Sequence, residues 1–171
     1  TVAVILGGMV VRATGSGAGC GSHWPLCNGA VVPLAPGPKT IIEFGHRLTS
    51  GLDLLLVVFL VWGGRRVWPA GHRVRRAAWA SLIVMVGEAL LGAGLVLLEY
   101  VADNAEIARG WWVGAHLLNT YLLLAMLTLT AHFASGGRSF ALRGPRAGML
   151  GAVLGMVVLL GVSGALTALG D

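Results

Sequence analysis

Charge is what this chain has least of. Asp, Glu, Lys and Arg make up only 11% of its 171 residues, while hydrophobic residues make up 56%. So little charge cannot cover a water-solvated surface, which excludes an ordinary soluble domain and a disordered one alike. Acids are the scarcer sign, seven against twelve Lys and Arg, and the net +5 would suit nucleic acid if the basic residues formed one patch. They do not. Arg65, Arg66, Arg73, Arg75 and Arg76 fall between two apolar runs, and Arg138, Arg143 and Arg146 between two others. With only two cysteines, Cys20 and Cys27, a disulfide-built scaffold is excluded as well.

What the chain does have is long apolar runs. A membrane span needs about 20 mainly apolar residues, and four stretches qualify, near 41–62, 77–98, 111–133 and 147–168. Residues 1–11 are apolar but too short to cross, and are expected to be the end of a helix that begins upstream; more chain is expected after Asp171. Short loops between the spans imply antiparallel neighbours, hence an all-α, up-down helical bundle in a membrane. The arginine loops, 65–76 and 135–146, are assigned to the cytoplasm by the positive-inside rule, and 12–40 and 99–109 to the outside. Weak contact of those arginines with anionic lipid headgroups is the alternative reason for their placement.

Both cysteines lie in the 12–40 loop, on the side where disulfides persist. A Cys20–Cys27 disulfide is therefore expected, against two alternatives: reduced thiols, or a metal site with His23 as a third ligand. The loop is dense in Gly and Pro and carries Trp24, a residue favoured at the headgroup layer. In the last span Ala147, Gly151 and Gly155 recur at every fourth position, a small-residue seam suited to close helix packing. A faint repeat relates Gly8, Thr14 and Gly17 to Gly161, Thr167 and Gly170.

Ionisable residues within a span cost about 2.5–3.5 kcal/mol each at its centre and need a reason to be there. The second span carries Glu43, His46, Ser50 and Asp53 at spacings that place all four on one helix stripe, which must face the bundle interior. The fourth carries His116, then Asn119 and Thr120. At about 1.5 Å per residue the two histidines lie roughly 7 and 9 Å from the starts of their spans. Two imidazoles at one level suit axial ligation of a heme iron, whereas each alone would read as a hydrogen-bonded structural residue. Glu43, one turn from His46, would approach the edge of a bound porphyrin as a base or as a counter-charge, or else pair with Arg47. Arg47 is placed to reach a carboxylate or a bound propionate. Glu88, mid-span in the third helix, is expected to be a buried hydrogen-bonding group, and Asp53 structural. His23, His72 and His132 lack a partner at matching depth.

The runs G-G-M-V-V-R-A-T-G-S-G-A-G-C, W-P-L-C-N-G, E-F-G-H-R, A-H-L-L-N-T and G-A-L-T-A-L-G-D, taken in order, resemble the heme A synthase family over nearly the whole chain. The resemblance implies an eight-helix protein of two similar four-helix halves, of which this chain supplies most of the first and the start of the second. Residues 1–11 would end the first helix, 12–40 form the outer loop, 41–146 the remaining substrate-heme half and 147–171 the fifth helix. It further implies that Glu43 is the essential acid, that His46 and His116 ligate the iron, and that Cys20 and Cys27 are bonded. The implied reaction oxidises a methyl group of heme O, through an alcohol, to the formyl group of heme A for cytochrome oxidase. A heme b in the second half, heme O synthase, an electron acceptor, membrane lipid and a homo-oligomeric partner complete the expected associations. Glu88 departs from the glutamine expected in the third span. Two rivals from other classes are a b-type cytochrome that only passes electrons, and a transporter using Glu43, Asp53 and Glu88 as an ion path.

Overall fold

The computed structural model describes residues 1–101, 104–138 and 145–167. Asp103, Arg143, Gly170, Asp171 and the side chain of Arg146 lie outside what is described. The described residues form five helices: α1 (Val2–Ala13), α2 (Pro38–Val67), α3 (Arg73–Leu97), α4 (Ile107–Ala134) and α5 (Pro145–Thr167). The last four are long and apolar enough to cross a membrane, which together with the composition makes this a multi-pass membrane protein.

α2 and α4 outrun their apolar stretches at both ends, and α3 and α5 at their starts. α2 starts at Pro38, whose fixed φ and missing N–H suit a first helical turn, behind an extended Gly37 cap. At its other end it continues through Arg65 and Arg66, so these arginines belong to the helix rather than to a loop. Arginine is a good helix former and its long stem carries the charge outward. There Arg66 lies 5.3 Å from the Trp62 ring and Arg65 6.0 Å from Trp79. α3 opens on Arg73, with the His72 ring accepting from the Val74 N–H at 3.3 Å.

Each helix packs on its chain neighbours, α1 on α2, α2 on α3, α3 on α4 and α4 on α5. α2 and α4 therefore flank α3 without substantial backbone contact with each other. The apolar core is small: Val57, Met85 and Leu123, one from each of these three helices, with Leu54, Leu82 and Leu127 against them. Most other large side chains of α2, such as Leu48, Leu52, Leu55 and Phe59, point outward, as lipid-facing residues do. Ser81 and Thr130 bridge α3 and α4 in the buried layer at 3.4 Å.

The small-residue seam of α5 does not pack as the sequence suggests. A Cβ at Gly151 or Gly155 would meet nothing within 4 Å, whereas one at Gly161 would come within 2.8 Å of both Leu117 and Tyr121 of α4. A seam acts only where a second helix lies against it, and α4 meets α5 further along.

Candidate functional site

α2 begins three residues and α4 four residues before its apolar stretch, so the match in depth survives. His46 stands eight residues into α2 and His116 nine into α4, about 12 and 14 Å along their axes at 1.5 Å per residue. The two imidazoles are within electrostatic range of one another. Among the described residues the buried side-chain polar atoms without a hydrogen bond are His46 Nδ1 and His116 Nδ1, and no others. Buried polar groups are nearly always satisfied, so two orphans on one pair of facing helices ask for an explanation.

Small residues shape the space around both rings. A Cβ at Gly8 of α1 would come within 3.2 Å of the His46 Cε1, and one at Gly7 within 3.4 Å of its Nδ1. On the other side a Cβ at Gly92 of α3 would lie 3.6 Å from His116 Cε1. The sequence reading missed these glycines; the signal available was the Gly7-Gly8 doublet inside an otherwise apolar helix. Two imidazoles at one level, each with an Nδ1 that makes no hydrogen bond and carried on helices that do not pack on each other, are a donor set that would suit a heme iron. Among the described residues no cluster of three or more His, Cys, Asp or Glu offers a different metal site.

Glu43 is buried, 3% exposed, and its carboxylate is fully engaged. Oε1 accepts from Arg47 Nε at 3.1 Å and from Arg47 Nη2, and Oε2 accepts from the backbone N–H of Cys20 at 2.8 Å. Arg47 Nη1 donates to the carbonyls of His23, at 2.6 Å, and Leu26, at 2.7 Å. Four of the five guanidinium N–H donors are thus spent, two on Glu43 and two on the loop. Glu43 precedes His46 by one turn and Arg47 follows it directly, so the 12–40 loop is latched to α2 at the turn that carries His46.

That loop is folded tightly. Cys20 and Cys27 are joined in a disulfide with Cα atoms 4.4 Å apart, and both are buried. The Gly19 carbonyl accepts from Thr40 Oγ1 at 2.8 Å, and a Cβ at Gly19 would run into the Lys39 carbonyl at 2.5 Å. Only glycine permits that approach. A cavity of about 510 Å³ opens between this loop and the α3–α4 connection, lined by Ala18, Gly21, Ser22, Val96, Glu99 and Glu106 among others. It lies at the loop end of the bundle and includes neither histidine.

Behind His116 stands a second polar group. Asn119 Nδ2 donates to Glu88 Oε2 at 2.6 Å and to the Val84 carbonyl at 3.0 Å, and the Thr120 hydroxyl contacts Glu88 Oε1. The same Oε1 is 3.4 Å from His116 Nδ1. Asp53, at 5% exposure, accepts from the Thr1 hydroxyl at 3.1 Å and takes no part in the histidine pair. His23 contributes only its carbonyl to the site, His72 caps α3, and the His132 Nε2 is 3.0 Å from the Arg138 carbonyl.

Fold and site together define a class: a multi-pass helical membrane protein with two imidazoles at matched depth and a carboxylate one turn from one of them. Residues 1–171 match the family model COX15-CtaA, described as cytochrome oxidase assembly protein, and the chain belongs to that family. A Thermus thermophilus protein named protoheme IX farnesyltransferase is 54% identical over 172 residues, 99% of this chain and 28% of that protein. Heme A synthase of Alkalihalophilus pseudofirmus is 37% identical over 72% of this chain and 41% of its own length, and that of Halalkalibacterium halodurans 35% over 74% and 42%. The chain thus spans between about a quarter and two fifths of the relatives it matches. No solved structure matches it.

Proposed function

We propose that this chain is the substrate-holding half of a heme A synthase, which oxidises a peripheral methyl group of heme O through an alcohol to the formyl group of heme A. The observation that carries the reading is the pair of histidines, His46 and His116, at matched depth, each with a buried Nδ1 that makes no hydrogen bond. Family membership supports it, as do relatives named heme A synthase. The Thermus relative is named for a transferase acting on protoheme IX, which also favours a heme as the substrate and heme O synthase as its supplier.

In this reading His46 and His116 hold the heme O iron and fix the ring between α2 and α4. Glu43, kept in place by Arg47 and the Cys20 N–H, serves as a fixed negative charge beside the ring edge. A carboxylate held by three donors is a well-placed counter-charge, so its role is to stabilise positive charge that develops as the methyl carbon is oxidised. Arg47 keeps one N–H for a heme propionate. The 12–40 loop closes the outer end and excludes water, with the disulfide and the Arg47 contacts as its fasteners. A heme b and its ligands belong to the second half of the whole protein, and an external acceptor takes the electrons. Residues 12–40 and 99–109 face outward from the cell membrane and 65–76 and 135–146 face the cytoplasm.

The Glu43–Arg47 ion pair would equally suit a b-type cytochrome that only carries electrons, and one experiment separates the two. Full-length protein is expressed with a heme O supply, and its hemes are extracted and separated for wild type and Glu43→Gln. Heme A or its alcohol precursor from wild type, with product reduced about 100-fold or more in the variant, is the expected result. Heme b alone in both makes the protein an electron carrier.

A further inference from the structure

His116 and His46 differ in what stands beside their Nδ1 atoms. His46 Nδ1 faces the backbone of Gly7 and Gly8 and no carboxylate, whereas His116 Nδ1 has the Glu88 Oε1 at 3.4 Å. Glu88 is itself held. Asn119 Nδ2 ties its Oε2 to the Val84 carbonyl, and Thr120 contacts its Oε1. Asn119 and Thr120 follow His116 by three and four residues, so the carboxylate of α3 is aimed by the same turns of α4 that present the ring. A Cβ at Gly87 would meet the Asn119 Oδ1 at 3.3 Å, so a larger residue there would press on this clamp.

A histidine that binds a metal through Nε2 commonly donates its Nδ1–H to a carboxylate, which fixes the ring and makes the ligand more electron-rich. We propose that Glu88 is such a positioning residue, orienting His116 and strengthening it as a ligand while His46 remains an ordinary imidazole. The heme site is thereby asymmetric, with one electron-rich axial ligand on α4 and one weaker one on α2. His46, the imidazole without a carboxylate at its Nδ1, is the one a helical turn from Glu43. This inference rests on the proposed ligation by His46 and His116.

The test uses full-length protein loaded with heme O, comparing wild type, Glu88→Gln and Thr120→Val. The readouts are heme content, the low-spin electron paramagnetic resonance g values and the midpoint potential. Glu88→Gln is expected to keep a bis-histidine heme, shift the g values away from those of an imidazolate-like ligand, and raise the potential. Thr120→Val removes no charge but takes away the donor on the carboxylate oxygen nearest His116, so it should shift the same signals by less. This second variant separates ligand tuning from the loss of a nearby charge, and it remains informative if Glu88→Gln loses heme. Unchanged g values and potential in variants that retain heme overturn the inference while leaving the ligand pair intact. Absence of a bis-histidine signal in wild type overturns the ligand assignment and this inference with it.

Discussion

At the residue scale the site depends on glycines that leave room for imidazoles. A side chain at Gly8 would enter the volume of the His46 ring, since even a Cβ comes within 3.2 Å of Cε1. Gly8→Val is therefore expected to lower heme content several-fold while the helices persist, measured as heme per protein alongside far-ultraviolet circular dichroism. Full heme loading in Gly8→Val would show that α1 does not shape the pocket. His46, His116 and Glu43 were legible in the sequence because ionisable residues stand out in an apolar helix and their spacing is periodic. Gly7, Gly8 and Gly92 were not, because what makes a glycine matter is the neighbour it admits from another helix, and no spacing along one helix encodes that. The engagement of Glu43 by the Cys20 N–H was hidden for a related reason: backbone donors carry no residue signature.

At the element scale the 12–40 loop and the close α3–α4 contact do most of the positioning. The loop is fastened to α2 by the Arg47 contacts, by Thr40 on the Gly19 carbonyl and by Cys20 on Glu43. Opening the disulfide with the Cys20→Ser, Cys27→Ser pair removes about 2–4 kcal/mol of constraint from the loop. Turnover is expected to fall, and heme to dissociate faster in a transfer assay to an apo-acceptor. Wild-type heme content and turnover in the pair would exclude the loop as a lid. Between α3 and α4 a Cβ at Gly94 would lie 2.6 Å from the Trp112 ring. Gly94→Ala should cost about 1–3 kcal/mol by overpacking, read as a lower midpoint in thermal unfolding in detergent. Helix number and order were readable from apolar run length, yet the ends were not, because helices continue into the headgroup layer through residues such as Arg65 and Arg66 that a hydropathy reading counts as loop.

At the scale of the whole molecule, charge asymmetry between the two ends of the bundle sets the proposed orientation. Single cysteines at Ala70 and Ala105, added to a Cys20→Ser, Cys27→Ser background, test it. The residue at 105 should react with a membrane-impermeant maleimide in intact cells, and the one at 70 only after permeabilisation; the reverse pattern would invert the topology. The lipid-facing surface and the small core follow from one fact: in a bilayer, apolar side chains gain little by turning inward, so the interior is left for polar groups that need partners. Two of those groups, His46 on α2 and His116 on α4, leave a buried Nδ1 without a hydrogen bond. Ligation of a heme iron by these two histidines is the central claim. The most direct test is the optical and electron paramagnetic resonance spectrum of full-length protein loaded with heme O, compared with His46→Met and His116→Met. The account expects a low-spin bis-imidazole signal in wild type that each substitution abolishes. A bis-imidazole signal for bound heme O that survives both substitutions would place the substrate elsewhere and contradict it.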